Sequence, residues 1–358
     1  MSSHPAGSTG PADWQRLGNG LSCYTANLAG YLAIELPGVR RWLAESVRLA
    51  VRVDLPGGEL AFSHHAYPLD RLPDGTSLRY ASVRAADHAA TELAATELAA
   101  AELAAEVGRH GRVLVVVDNA RLPWSPALGT GQAAPHWLLV SGRDGPDWQV
   151  CDAFSGLLPA GEQQPHAGRL STEALLGAMQ PPPRWTRQQR RRNALAFGFP
   201  VPVPPGATRQ WLRRSPAGAP AGPADPAHAG TAHGGGRPAA PAPAELPGTW
   251  LTSDNDVLRF LAAQVAAQGE HAARYLDDLW SAAAHRVFRY RWLAGRPGVP
   301  DAERERFAAA GAAWARLPVA LRFAVDSARR GQPRPSLIAT TFEHLRGIEA
   351  RAAAAAMA

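Results

Sequence analysis

Cys23 opens a stretch, Ser22-Cys-Tyr-Thr-Ala-Asn-Leu-Ala-Gly-Tyr-Leu-Ala33, in which Tyr24, Leu28, Tyr31 and Leu32 recur at helical spacing. A helix over about 22–33 is expected. A cysteine at such a helix start meets N–H groups without intrahelical partners and the positive end of the dipole, and both favour the thiolate. The same N–H groups can supply half of an oxyanion hole, and Asn19 in Gly18-Asn-Gly20 could offer the second donor. A lone cysteine is more often a small buried hydrophobe, so the weight of this reading falls on its partners.

Those partners are expected in one hairpin. Residues 136–140 and 148–152 read as strands joined by a turn that contains Asp144-Gly145. A turn centred near Asp144 would set His136 opposite Asp152, on one side of the sheet, with Nδ1 bonded to the carboxylate. That bond would orient the imidazole and stabilise its cation, completing a nucleophile, a base and an orienting acid. Cys151 would point to the other face, into the core. The competing use of the two cysteines is a disulfide between them, which a reducing compartment disfavours.

Nothing else in the chain offers covalent or cofactor chemistry. His64 and His65, adjacent in a strand, would face opposite ways; paired-cysteine zinc spacing and a phosphate-binding Walker loop are absent; Gly129-Thr-Gly-Gln is too short for a dinucleotide fingerprint. No metal, nucleotide or other cofactor is expected. All 37 basic residues are Arg, as a high-GC bacterial coding bias produces, and the formal net charge is +6. Residues 181–220 hold eight of them (Arg184, Arg187, Arg190, Arg191, Arg192, Arg209, Arg213 and Arg214) and no acid. Such a strip suits an acidic partner (nucleic acid, anionic lipid or an acidic carrier protein) or is a solvated linker. Without a signal-like start or a membrane-length apolar run, the chain is expected in the cytoplasm and off the membrane.

The length allows two domains. A polar tail covers 1–13, a first domain 14–215, a Pro/Ala/Gly-rich linker 216–247 and an all-helical domain 248–358. Within the first domain a helix is expected over Arg40–Val53, strands or loop over 58–83, and a helix over about 86–107 built on a five-residue slip repeat. Because five does not match 3.6, Leu93, Leu98 and Leu103 should spiral around that helix. Arg112–Asp118 reads as a buried strand and Leu170–Met179 as a capped helix. The C-terminal helices are expected from Val257, over 269–294, from Pro300, over 317–330 and over 338–355, and that domain could cover the site, dock a partner or form a homodimer.

The early Cys23 helix, Val117-Asp-Asn-Ala-Arg-Leu-Pro-Trp-Ser-Pro, the His136 strand with Val140-Ser-Gly-Arg-Asp, Val150-Cys-Asp and Leu170-Ser-Thr-Glu-Ala-Leu together resemble the family of butirosin biosynthesis protein H. So does a C-terminal helical domain with aromatic-spaced segments such as Phe307-Ala-Ala-Ala-Gly-Ala-Ala-Trp. The resemblance implies an α+β fold of the papain-like, bacteriocin-processing peptidase type followed by helices. It implies acyl transfer from an acyl carrier protein to an amine or other nucleophile of a small natural product, with Cys23, His136 and Asp152 catalytic. An acidic carrier would meet Arg184, Arg187, Arg190, Arg191 and Arg192, leaving no role for nucleic acid. The glutamine expected six residues before the cysteine is replaced by Leu17, so Asn19 or Gln15 must stand in. Trp124, and with it Trp137, is a candidate for lining the acyl channel. Release of the chain by hydrolysis or cyclisation, a cysteine peptidase, and a non-catalytic scaffold are the alternatives.

Overall fold

A computed structural model describes residues 20–72, 74–84, 89–158, 160–181, 185–204, 208–216 and 246–356. The expected tail, Gln15, Asn19, Arg184 and nearly all of the expected linker lie outside them. In chain order the elements are α1 (Cys23–Leu32), α2 (Val39–Ser46), β1 (Val47–Arg52), β2 (Ala61–His65), β3 (Ser77–Arg84), α3 (Ala89–His110), β4 (Val113–Asp118), β5 (Pro135–Asp144) and β6 (Asp147–Asp152). Then come β7 (Gly156–Leu158), β8 (Gly161–Gln163), β9 (His166–Ser171), α4 (Thr172–Ala178), α5 (Arg187–Ala194), β10 (Thr208–Ser215) and β11 (Trp250–Leu251). The helices α6 (Asp254–Gln268), α7 (Leu276–Ala294), α8 (Asp301–Arg329) and α9 (Pro335–Ala356) close the chain. The architecture is mixed α+β, with antiparallel sheets and a helical C-terminal region.

Contacts divide the chain into two compact units. The first comprises residues 23–37 and 67–216 among those described, and is built on a six-stranded sheet in the order β3-β10-β4-β5-β6-β9. The β-branched run Val113-Leu-Val-Val-Val makes β4 a central strand, fully buried. One face of the sheet, with Val113, Val115, Val117, Leu138, Val140 and Trp148, packs against Ala99 and Leu103 of α3 and Leu175 and Leu176 of α4. Side chains alternate along a strand, so Trp137 faces the other way, and there it meets Tyr24 of α1 with ring centroids 5.0 Å apart. Apart from Cys23, every residue of α1 is buried, as expected of a helix apolar on all sides. In the slip repeat Leu103 is buried while Leu93 and Leu98 are exposed, the spiral that a five-residue period imposes.

Strand β10 is absent from the sequence reading, which treats residues 208–215 as part of a basic strip. Here it pairs with both β3 and β4. Its arginines are neutralised within the unit: Arg209 by Glu92, Arg213 by Glu102, and Arg214 by Glu35 and Asp74. Arg209 and Arg213 therefore hold the sheet to α3 and Arg214 ties it to two loops, so three of the eight arginines are already paired with acids of their own unit.

The second unit comprises residues 20–22, 38–66 and 246–356. Residues 38–66, which the sequence reading assigns to the first domain, thus group with the C-terminal helices. Leu49, Val51, Leu60 and Phe62 enter the same core as Leu258, Tyr275, Trp314 and Phe342. The single helix expected over Arg40–Val53 ends at Ser46 and becomes β1, because Val47-Arg-Leu-Ala-Val pairs with β2 and β11 and burial overrides local helix propensity. Conversely α8 runs through Pro318, where a new helix was expected to begin. The stripe Ala310, Trp314, Leu317, Leu321 and Val325 lies in one core, and that burial outweighs the roughly 3 kcal/mol an interior proline costs.

His64 and His65 do not diverge as strand alternation alone predicts. Near an irregularity in the β1–β2 ladder, both rings approach His285 of α7, at centroid distances of 5.3 and 5.0 Å. Ser46 Oγ gives its proton to the Leu43 carbonyl and so accepts from Nδ1 of His65; Nε2 of His285 accepts from the Ser22 amide. A proton on that Nε2 would face an N–H group. Burial holds both His65 and His285 well below the usual imidazole range, with the neighbouring His285 and Arg48 acting on His65 and His64 acting on His285 in the same direction. A depressed histidine contributes stability above about pH 6.5, which is lost as pH falls towards its folded value. Unfolding free energy is therefore expected to drop by about 1 kcal/mol per pH unit per histidine between pH 6 and 5. Urea unfolding at the two pH values tests this, and His285→Gln should flatten the dependence.

Candidate active site

The site forms where β4 ends, β5 begins, β6 ends and β9 begins, with the first turn of α1 beside it. Cys23 is half-buried as the first residue of α1, so its backbone N–H is one that a helix leaves without an intrahelical acceptor. His136 is 3% exposed and Asp152 is closed to solvent. Nε2 of His136 lies 2.8 Å from Oδ2 of Asp152, and the imidazole is also within hydrogen-bonding reach of the Cys23 side chain. The structure thus brings Cys23, His136 and Asp152 together, in that order.

Two details differ from the sequence reading. The hairpin turns at Gly145-Pro146, with Gly145 at φ +60°, and a bulge lies between Val140 and Gly142. Cys151 consequently pairs with Leu139, so His136 and Asp152 are diagonal neighbours, not direct ones. From the diagonal position it is Nε2, rather than Nδ1, that meets the carboxylate, which leaves Nδ1 for the cysteine.

Asp152 receives donors on both oxygens. Oδ2 accepts from His136, from Nε1 of Trp124 at 2.9 Å and from Nε2 of Gln163 at 2.8 Å; Oδ1 accepts from the Phe154 amide at 3.1 Å and Nδ2 of Asn27 at 3.2 Å. Burial works to raise its pKa, but His136 and these donors outweigh it and hold the carboxyl below its usual value. For His136, burial works to lower the pKa, but the charges of Asp152 and Cys23 and its bonds to them carry it up to about 10. The imidazolium is therefore the form at neutral pH. Phe154 packs edge-on against it at 5.6 Å, keeping the pair in apolar surroundings.

Asn27 joins these pieces. Four residues after Cys23 and so on the same side of α1, its Nδ2 donates to the Trp137 carbonyl at 2.7 Å, to the Cys23 carbonyl at 3.1 Å and to Asp152, while its Oδ1 accepts from the Ala153 amide at 3.0 Å. One side chain sets the helix carrying Cys23 against both strands of the hairpin. A polar residue in an otherwise apolar helix was the available signal for it. Gln163, on the short strand β8, carried no such signal.

Trp124 does not stand free to line a channel; it donates to Asp152 and stacks on His166. Trp137 is 0% exposed among Tyr24, Tyr80 and Phe197, and is core rather than channel wall. Cys151 is buried, and both it and the half-buried Cys23 are free thiols, so the two are not joined in a disulfide. Burial and the nearby Asp152 charge push the Cys151 thiol up to about 12, which leaves it protonated and unreactive. On α5, Arg187 and Arg190 are exposed and Arg191 and Arg192 are half-buried. Among the described residues no group of three or more His, Cys, Asp or Glu could hold a metal ion, and no helix is long and apolar enough to cross a membrane.

Compared with known proteins, the chain matches no family model and no curated protein sequence.

Proposed function

We propose that the protein is a cysteine-dependent acyltransferase that takes an acyl group from an acyl carrier protein thioester and passes it to an amine or other nucleophile of a small molecule. The observation that carries this reading is His136 held between a saturated, ionised Asp152 and the side chain of Cys23 at a helix start. A cysteine helix packed on an antiparallel sheet that bears the histidine is also the arrangement of a papain-like fold, in keeping with the resemblance drawn from the sequence. Arg187 and Arg190 support an acidic carrier as the donor.

The chemistry follows from the proton positions. The Cys23 thiolate, with imidazolium as counter-charge, attacks the thioester carbonyl carbon, and the negative oxygen is received by the backbone N–H groups at the start of α1. As the tetrahedral centre collapses, the carbon–sulfur bond to pantetheine breaks and the departing sulfur takes the proton of His136. The neutral imidazole then removes a proton from the incoming nucleophile as it attacks the acyl-cysteine. That attack forms the new bond, and collapse of the second tetrahedral centre breaks the bond from carbon to the Cys23 sulfur, releasing the acylated product and restoring the thiolate beside the imidazolium. Asp152 keeps its charge throughout and fixes which nitrogen faces the sulfur.

Incubation with short acyl thioesters of N-acetylcysteamine, followed by intact-protein mass spectrometry, tests this. A mass gain equal to the acyl group, absent in Cys23→Ala, is expected. No adduct from any thioester, with Cys23 also inert to iodoacetamide, would overturn it.

A further inference from the structure

Trp124 and His166 form a stack beside the site. The indole and imidazole rings are nearly parallel, at 12°, with centroids 4.0 Å apart. Trp124 comes from the loop between β4 and β5, packs at the margin of the sheet's core, and donates through Nε1 to Oδ2 of Asp152. His166 begins β9 and sits in register opposite Asp152, so its ring belongs to the same ladder as the carboxylate. The ring folds back along its own strand over Gly168. A Cβ built on Gly168 would lie 2.7 Å from His166 Nε2, closer than carbon approaches, and 3.3 Å from Cε1, so a side chain there would have to push the ring aside. The ring therefore occupies a cradle that only glycine leaves open.

From this geometry we infer that His166 is a positioning residue: seated over Gly168, it clamps Trp124 so that the indole N–H holds Asp152 in the orientation His136 needs. The inference rests on the acyltransferase reading above and adds to it two residues with no contact to the nucleophile. His166 is itself half-exposed, and the charged group facing it is Asp152. The clamp needs a flat ring at this position rather than a charge. Phenylalanine should serve, and alanine should not.

The test measures two quantities in the intact chain: the rate of Cys23 alkylation by iodoacetamide at pH 7, and the downfield proton resonance of His136 Nε2–H bonded to a carboxylate. His166→Ala is expected to slow alkylation about tenfold and to broaden or remove the resonance, and His166→Phe to preserve both, since small misplacements of a catalytic group cost rates of this order. Gly168→Ala, which pushes the ring off its seat, should resemble His166→Ala. It should add nothing in a His166→Ala background, because no ring is left to displace. A merely structural role for Gly168 would make the two changes additive, and that result overturns the inference. So does unchanged alkylation and an unchanged resonance in His166→Ala. If wild-type Cys23 is not alkylated while the His136 resonance is present, the acyltransferase reading itself fails and the clamp as a catalytic device fails with it.

Discussion

Asp152→Asn is expected to slow acylation of Cys23 by about a thousandfold to ten-thousandfold. The replacement keeps the shape and removes the charge. It also disturbs three or two of the five donors, because an amide has one oxygen where the carboxylate had two. If the new amide nitrogen takes the place of Oδ2, it meets Trp124, Gln163 and His136, all of which donate there now. His136 would then have to turn a lone pair to the amide and carry its proton on Nδ1, facing the sulfur, where a base is required. If the nitrogen takes the place of Oδ1, it meets the Phe154 amide and Asn27. Each buried donor left without an acceptor costs about 1–3 kcal/mol, so a loss of stability should accompany the loss of rate. The pH profile of iodoacetamide alkylation separates the two effects. In the wild type the imidazolium persists to about pH 10, so the rate should be nearly level across neutral pH. Without the carboxylate to hold that charge the imidazolium should be lost at lower pH, and the rate should vary across the same range. Acylation of the variant within tenfold of wild type would show that Asp152 does not orient the base.

Cys23, His136 and Asp152 were legible as candidate nucleophile, base and acid, residue types at separations that one helix and one hairpin can bring together. Their exact pairing was not. Arithmetic on the hairpin needs the turn and every bulge: the turn at Gly145-Pro146 and the one-residue bulge after Val140 together leave Asp152 two positions from the partner of His136. The outcome survives because a diagonal neighbour is still within reach of a histidine ring, though through the other nitrogen. Asn27, Gln163 and Trp124 were harder to assign for a common reason. A residue that acts by bonding a distant carboxylate shows no local pattern, and its role exists only once β6, β8 and the β4–β5 loop are in place. Misreadings elsewhere trace to tertiary burial overriding local preference. Val47–Arg52 continues a helical pattern but finds two strand partners, and Thr208–Ser215 looks like a basic linker until its arginines meet Glu92, Glu102 and Glu35. The all-arginine basic set gives charge counts little power to distinguish a structural cation from a docking one.

The same dependence on distant bonds makes Asn27→Asp the sharpest test of how the site is held together. The exchange is nearly isosteric, and its whole effect comes from replacing an amide nitrogen with a carboxyl oxygen. That atom lies 2.7 Å from the Trp137 carbonyl and 3.2 Å from Oδ1 of Asp152. Two carboxylates so close cannot both be ionised, and Asp152 is committed to the charge by His136 and its other donors. The introduced carboxyl must therefore take up a proton on folding, and its one O–H can satisfy only one of the three acceptors that the amide nitrogen now serves. A group whose folded pKa is raised costs nothing extra while it is protonated in both states and costs more as pH rises above its unfolded value of about 3.9. Destabilisation should thus be modest near pH 5 and grow by up to about 1.4 kcal/mol per pH unit towards neutrality, reaching roughly 3–5 kcal/mol. This trend is opposite in sign to the contribution of His65 and His285, which make the protein less stable in acid. Urea unfolding of Asn27→Asp at pH 5 and 8, with Asn27→Ala as the uncharged control, reads the sign directly. A variant whose stability follows the wild-type pH trend would mean that the amide does not sit against Asp152, and the clamp between helix and hairpin would have to be sought elsewhere.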